Sequence, residues 1–440
     1  MKIGLIGNGG REHAIARSIS KNKDAQLFVA ASHENDGIKR CSKDYKIIDL
    51  KNPKRILEYF ASKNVDFVVV GPEAPLMVGA IDKLRKANIP SVGPTKRQAR
   101  LEGNKVFMRN LLKDELGWGS PKWQAISSIE DAKSFIKSVG DVVVKPIGLT
   151  GGKGVKVMGI QLKTHKDTLD YINSLIREEG IVLLEEKIVG EEFSRMAFIS
   201  DGVILPAPIM QDYKYAFDGD KGLMTGGMGA YSFRDGKLPF LLQEDVVSAD
   251  LLMSEVLEAI EKRTDSSYRG FLYGQFMKSK RGIVLIEFNV RLGDPEALNL
   301  MSLLNTDCTD LFSSIANGNL NQAKVSFRNK SSVSKYLVPN SYPKPIIEKI
   351  PFRFDEKAVI NAGFILIHGA VERKDENLWQ ALGSRTLGLV GIGETPGEIS
   401  GKMEAFLEKF EPEELRHRKD IGNSAVIQKK IEAMETIRHD

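Results

Sequence analysis

The sequence predicts an α/β and α+β multidomain protein whose first part is an open parallel α/β domain. Its 440 residues exceed what a single hydrophobic core sustains. The first hundred residues alternate short apolar runs with helix-length amphipathic segments, as βαβ units do, and later segments mix strands and helices without that alternation. Hydrophobic residues at 42% and charged residues at 28% are ordinary for a globular chain, so each part can build a core.

In residues 1–103 the apolar runs 3–6, 27–30 and 65–70 are the expected parallel strands. Residues 104–190 form a smaller α+β unit with a strand at 142–144, a glycine loop and a second strand at 181–184, and a mobile lid is expected there. Residues 191–320 hold strands around Phe198, Leu205 and Val284 and a helix over 245–262, where Leu252, Val256 and Ile260 recur at i+4. The Ser-, Lys-, Asn- and Pro-rich stretch 321–345 introduces a last, small α/β domain, 321–440, with an amphipathic helix over 396–410. No internal repeat is present.

A net charge of +5 over 440 residues is too dilute to argue for nucleic acid, whose binders concentrate basic residues on one face or arm, so none is expected. Cys41 and Cys308 make neither a Cys-x-x-Cys pair nor a disulfide framework, which fits a reducing, cytoplasmic setting. The N-terminus lacks a signal-like apolar stretch and no run reaches membrane-spanning length, so no membrane association is expected.

The loop Gly7-Asn8-Gly9-Gly10-Arg11-Glu12-His13 follows a strand and opens a helix, whose free N–H groups and positive end favour a phosphate. A dinucleotide site is the alternative, but Glu12 stands where the third glycine of Gly-x-Gly-x-x-Gly would be. A turn with no ligand is a third reading. A second loop, Lys145 to Val155, combines Gly148, Gly151, Gly152 and Gly154 with Lys145 and Lys153. Its backbone could close over phosphates, although it is no Walker A sequence and a plain hairpin reads equally well.

The strand-like run 284–291 projects Glu287, Asn289 and Arg291 from one face. A Glu/Asn pair at i, i+2 suits magnesium, and Gln275 on the preceding strand could add an oxygen; a solvated sheet face is the bland reading. A third glycine-dense patch, 225–231, follows Asp212-Tyr213-Lys214 and suits close approach to a ligand. Arg291 could then grip a carboxylate or phosphate bidentately. Asp294-Pro295-Glu296 reads structurally as a helix start, with Asp294 as N-cap.

Taken together, these segments closely resemble the phosphoribosylamine–glycine ligase family of ATP-grasp enzymes. The resemblance runs in order through residues 7–14, 70–76, 101–105, 151–155, 190–192, 225–232 and 287–296. It implies a fold with an N-terminal α/β substrate domain (1–103), an ATP-grasp lid (104–190) and core (191–320), and a small C-terminal domain (321–440). It implies ATP-dependent ligation of glycine to 5-phosphoribosylamine in de novo purine synthesis, through glycyl phosphate, with Mg2+ or Mn2+ as cofactor. A monomer acting on these small molecules is expected.

By resemblance, Lys105 and Lys145 contact the ATP phosphates, the loop Gly151, Gly152, Lys153 and Gly154 covers them, and Glu192 holds the ribose. Glu185, Glu186, Lys187 and Ile188 become the adenine-side hinge. Glu287 and Asn289 become the metal ligands, with Gln275 as a third. Asn8, Gly9, Gly10, Gly71, Pro72, Glu73, Gly293 and Pro295 face the phosphoribosylamine, while Asp212, Lys214, Arg291 and Asp294 arrange glycine and the amine. Pro146-Ile147 replaces the Ala-Asp usual in bacterial relatives, and Leu223-Met224 a Pro-Asn pair, without removing any of these groups. The C-terminal quarter matches poorly; Arg385 and the Gly391-Ile392-Gly393 turn are its candidates for facing the cleft. The rival functions are a sister purine-pathway ATP-grasp ligase using another carboxylate and, remotely, a dinucleotide oxidoreductase.

Overall fold

The structure is a computed structural model describing residues 1–148 and 154–439. The sites expected at Gly151, Gly152 and Lys153 therefore lie outside the described residues. In the N-terminal part, β1 (Lys2–Ile6), β2 (Gln26–Ala31), β3 (Asp44–Ile47), β4 (Phe67–Val70) and β5 (Ser91–Val92) pair in parallel in the order β3-β2-β1-β4-β5. Every residue of β4 is buried, because helices cover both faces of such a sheet. Strand order reverses between β1 and β4, and this switch point leaves a crevice beyond their carboxyl ends. The loops at Gly7–Gly9 and Gly71–Pro72 are the ones that open into it.

The lid is built from β6 (Trp123–Ile126), β7 (Val142–Lys145), β8 (Lys156–Val157) and β9 (Val182–Glu186), antiparallel in the order β6-β9-β7-β8. Ile126, Phe135, Val144, Ile172 and Leu184 give it a hydrophobic cluster of its own, separate from the one that runs through the rest of the chain. Two separate cores are what allow one unit to move against the other.

Next come β10 (Gly190–Ser200), β11 (Val203–Pro206), β12 (Gln211–Asp212), the hairpin of β13 (Tyr215–Phe217) and β14 (Lys221–Met224), β15 (Gly229–Ser232), β16 (Arg269–Ser279) and β17 (Gly282–Asn289). The sheet β11-β10-β16-β17 carries the strand face expected for Glu287 and Asn289. Its last pair is irregular: Gln275 faces Glu287 but Phe276 faces Leu285, so Ile286 is one residue too many. Such a bulge takes a carbonyl out of the ladder and re-aims it.

The C-terminal part adds β18 (Ser331–Pro339), β19 (Ile350–Arg353), β20 (Ile365–His368), β21 (Val371–Arg373), β22 (Leu378–Ala381), β23 (Leu387–Gly393) and β24 (Leu415–Arg416). Here the fold departs from the sequence reading. The polar stretch read as introducing a separate last domain contains β18, all nine residues of which are buried, and β18 pairs with β15 from the preceding unit and with β23. The sheet β12-β15-β18-β23-β20 therefore crosses the boundary expected at 320, and both sides share one core. Ser331, Ser332, Ser334 and Lys335 made β18 look exposed; their side chains are satisfied internally, Lys335 by Ser400 Oγ at 3.0 Å and Glu404 at 2.6 Å. Gly391 to Gly393 lie in β23, where Ile399 packs against them, and make no cleft-facing turn. The helix Pro396–Phe410 matches its expected bounds, and the helix Gln243–Thr264 extends the expected one by two residues at each end.

Candidate active site

One cavity of about 770 Å3 connects the switch-point crevice to the lid. Asn8, Gly9, Pro72 and Glu73 line its N-domain end, Lys105, Lys145 and Val155 its lid end, and Glu192, Asp212, Lys214, Glu287, Asn289, Arg291, Gly293 and Asp294 its floor. The three residues on which the sequence reading most depended, Lys105, Lys145 and Glu287, are thus brought together. Lys105 begins the helix Lys105–Leu111, whose N-cap Asn104 accepts the Phe107 N–H at 2.8 Å. Its ammonium donates to Gly148 O at 2.7 Å, and burial pulls its pKa below the ordinary lysine value. Lys145 ends β7 and is 4% exposed, with Nζ 2.6 Å from Glu185 and 3.3 Å from Ile286 O.

On the floor, the Lys214 ammonium sits among carboxylates. Lys214 Nζ lies 3.7 Å from Glu287, 3.8 Å from Glu192 and 4.0 Å from Asp212. Burial raises the Asp212 carboxyl to about 6 even beside Lys214, and raises Glu192 as well. For Glu287 burial acts in the same direction, but Lys214, Lys145, Lys105 and Arg291 outweigh it and keep the carboxyl below its usual range. Glu287 is therefore the carboxylate of this group best suited to remain charged and to hold a cation.

Arg291 bridges the two ends. Nη2 is 3.0 Å from Glu102 and 3.0 Å from Asn289 Oδ1, and Nε lies 3.8 Å from Glu73. Nε is buried without a hydrogen-bond partner among the described residues, a costly condition that a ligand carboxylate would relieve. Asp294 does not cap the following helix, Glu296–Leu303; Pro295 is at the cap position, and the Asp294 carboxylate accepts from Tyr336 Oη at 2.7 Å and pairs with Arg385 at 2.9 Å. The cap reading fails because two C-terminal side chains compete for this carboxylate.

Several expected ligands are placed elsewhere. The Gln275 oxygen does not face a metal position: the Tyr273 hydroxyl holds Oε1, and the amide NH2 donates to Glu192 at 2.9 Å and Asp212 at 3.1 Å. Turning the amide over would set its oxygen against two carboxylates. The Tyr273 hydroxyl proton is shared between Gln275 Oε1 and Glu296 Oε1, the latter 2.8 Å away on a carboxyl that burial holds above its ordinary range. The side chains of the expected adenine hinge also turn away. Glu185 lies behind Lys145, Glu186 accepts from Lys122 N at 2.6 Å and pairs with Arg281 at 2.7 Å, and Lys187 pairs with Asp141 at 3.0 Å. The backbone N–H groups of Glu186 and Lys187 bond Lys122 O and Asp141 O, and none of residues 185–188, Ile188 included, lines the cavity. Gly154 lies outside the cavity lining and accepts from the Tyr171 hydroxyl at 2.7 Å.

Gly10 and Gly71 are required by packing and do not face the ligand space. A Cβ on Gly10 would lie 2.0 Å from Tyr336 Oη, and one on Gly71 would lie 2.2 Å from Glu12 Oε1. Pro295 packs on Gly227 in the same way. Glu12 fills the space that a dinucleotide needs, its carboxylate accepting from Gly9 N at 2.6 Å and Arg11 Nε at 2.7 Å. This arrangement removes the pyrophosphate reading of the first loop.

Sequence reasoning assigned no role to several cavity-lining groups: Arg11, Glu12, Glu102, Tyr273, Tyr342 and Ser384. Glu102 stands beside Lys105 in a matching segment and could have been found; Tyr342 and Ser384 come from the weakly matching C-terminal part and carried no signal. Arg385 does line the cavity.

Comparisons with known proteins agree over the whole chain. The family model described as phosphoribosylglycinamide synthetase, N domain, matches residues 1–102, and that described as phosphoribosylglycinamide synthetase, ATP-grasp (A) domain, matches residues 103–297. The chain is 39% identical to a phosphoribosylamine–glycine ligase of Pyrococcus horikoshii, covering 99% of this chain and 98% of the relative. It is 40% identical to that of Methanocaldococcus jannaschii, covering 100% of both. Among solved structures, the phosphoribosylamine–glycine ligase of Thermotoga maritima superposes with a TM-score of 0.76 at 27% identity, over 96% of this chain and all of that one. The biotin carboxylase domain of Hydrogenobacter thermophilus 2-oxoglutarate carboxylase, solved with MgADP and bicarbonate, shares the fold at a TM-score of 0.70 and 15% identity, over 99% and 93%.

Proposed function

The chain belongs to the phosphoribosylglycinamide synthetase family, and from that membership we propose how its own residues carry out ATP-dependent joining of glycine to 5-phosphoribosylamine. The products are glycinamide ribonucleotide, ADP and phosphate, a step of purine biosynthesis. The observation that supports the assignment of roles is the single cavity: it joins a switch-point crevice suited to a phosphorylated sugar with a lysine-lined slot suited to a triphosphate.

Lys105 and Lys145 approach the nucleotide phosphates from the helix and strand sides. Glu287 and Asn289 fit a divalent cation: both offer hard oxygens on one strand face, burial is outweighed at Glu287 so that its carboxyl stays below its usual range, and Asn289 Oδ1 accepts one N–H among the described residues, from Arg291. Two protein oxygens suit an ion that takes its remaining ligands from phosphates and water. When bound, the cation neutralises charge developing on the transferred phosphoryl group.

The buried Nε of Arg291 receives the glycine carboxylate. One carboxylate oxygen attacks the terminal phosphorus, the bond to the ADP oxygen breaks, and glycyl phosphate forms. The amine of phosphoribosylamine, held against Asn8, Gly9, Pro72 and Glu73, then attacks the acyl carbon and phosphate departs with its bonding pair. The amine proton passes to the Asp212 carboxylate, whose raised pKa of about 6 suits a base near neutrality. Lid closure keeps water from the acyl phosphate. Among the described residues no helix is long and apolar enough to cross a membrane.

The assignment is tested by measuring ADP release with each substrate omitted in turn. Release should require glycine and phosphoribosylamine together, and neither formate nor bicarbonate should replace glycine. Release with bicarbonate but not glycine would point to a sister carboxylate-activating enzyme.

A further inference from the structure

Arg109 takes no part in the reaction steps, yet it is one of the largest fully buried side chains, at 0% exposure. It lies on the helix that starts with Lys105. Its guanidinium grips Glu185 of β9 in bidentate fashion, with Nε at 2.7 Å and Nη2 at 3.0 Å. The remaining N–H groups donate to Ser120 Oγ at 3.4 Å, Leu285 O at 2.9 Å and Ile286 O at 2.8 Å, Ile286 being the extra residue of the bulge in β17. Glu185 in turn holds Lys145 Nζ at 2.6 Å, and Lys145 shares Ile286 O. One side chain thus links the elements carrying Lys105, Lys145 and Glu287.

We propose that Arg109 is a positioning residue for nucleotide binding: by occupying Glu185 bidentately it fixes Lys145 in place while leaving the Lys145 charge free to face phosphate. The charge count gives the reason. Arg109, Glu185 and Lys145 sum to one positive charge. Without Arg109, the buried Glu185 carboxylate would pair fully with Lys145, and a neutral pair would face the nucleotide. Burial works to raise the Glu185 carboxyl, and Arg109 and Lys145 more than reverse this, so the carboxylate is charged and must have a partner. The geometry also gives Glu185 a function other than recognising the base.

This inference rests on the reading of Lys145 as a phosphate contact, and the experiment separates the two. Arg109→Met, Arg109→Lys and the double variant Arg109→Met with Glu185→Gln are compared with the parent enzyme by steady-state kinetics and by ADP binding in calorimetry. Arg109→Met should raise KM for ATP and Kd for ADP at least tenfold, leaving KM for glycine within twofold. Arg109→Lys should lie between it and the parent. The double variant, which removes the competing carboxylate charge, should recover at least half of the lost ADP affinity on a logarithmic scale despite carrying the larger change. It also supplies the test should Arg109→Met alone not fold, since the carboxylate charge that the single variant leaves buried without its arginine is then removed. A merely structural role would lower the active fraction and hence kcat, moving neither KM nor Kd, and would leave the double variant no better than the single; either result overturns the proposal. A Lys145→Met variant binding ADP as tightly as the parent would instead refute the reading beneath it.

Discussion

Replacing Lys214 with Met removes the one cation among the described residues within 4.0 Å of Glu192, Asp212 and Glu287. At an effective dielectric of about 20, each contact is worth roughly 4 kcal/mol before desolvation. The three are not equal. The Glu192 and Glu287 side chains are 35% and 36% exposed, so water screens their pairing with Lys214, whereas that of Asp212 is 4% exposed. The loss is therefore dominated by Asp212 and should be about 4 kcal/mol near pH 8, within the range for breaking a buried pair. Its pH dependence carries a definite sign. Asp212 is already raised to about 6 in the presence of Lys214, and without it the folded-state pKa rises further above the ordinary 3.8. A group raised on folding contributes stability that is present at low pH and lost as pH rises through the folded value. The deficit of the variant should thus be largest at pH 8 and shrink toward pH 5.5. Thermal unfolding followed by intrinsic fluorescence across this range reads it: a difference on the order of 5 °C at pH 8 should at least halve at pH 5.5. A deficit that is flat with pH, or that grows on acidification, would refute the charge argument.

Three further changes have expected outcomes. Glu287→Gln should lower kcat by about a hundredfold, near 3 kcal/mol, and shift the unfolding midpoint by less than 2 °C, roughly what one screened surface-like pair can contribute; unchanged turnover would remove Glu287 from the cation site. Gly10→Ala sets a Cβ within 2.0 Å of Tyr336 Oη and should destabilise the fold by about 1–3 kcal/mol, with KM for ATP unmoved in the folded fraction. Arg385→Met leaves the Asp294 carboxylate with Tyr336 as its partner among the described residues and should cut activity by roughly tenfold, as expected for the loss of one charge-assisted contact of about 1.5 kcal/mol or more, measured with phosphoribosylamine varied; full activity would show that the C-terminal part only covers the site.

The N-terminal fold was legible because period and burial coincide: continuous apolar runs with glycine loops after β1 and β4 leave few alternatives to a doubly wound sheet. The strand face of Glu287 and Asn289 was legible from alternation alone, but the bulge at Ile286 was not, since an extra residue leaves no mark on a short apolar run. What could not be read was where polar side chains find partners across the fold. Gln275 looked like a metal ligand because a local pattern cannot show Tyr273, Glu192 and Asp212 closing on it. Glu185 looked like part of a hinge because Arg109, 76 residues earlier, is silent in the local sequence. Tyr336 and Arg385 reach Asp294 from the weakly matching C-terminal part, Tyr336 from β18 inside the Ser-, Lys-, Asn- and Pro-rich stretch.

The fate of the oxygen that leaves glycine decides the mechanism. In a single turnover with glycine carrying 18O in both carboxylate positions, together with phosphoribosylamine, ATP and a divalent cation, the released inorganic phosphate should carry one 18O atom, and the amide of the product should retain the other. Phosphate without label, formed in step with product, would mean that no glycine oxygen captures the terminal phosphoryl group, and the proposed roles of Lys105, Lys145, Glu287 and Arg291 would fall together.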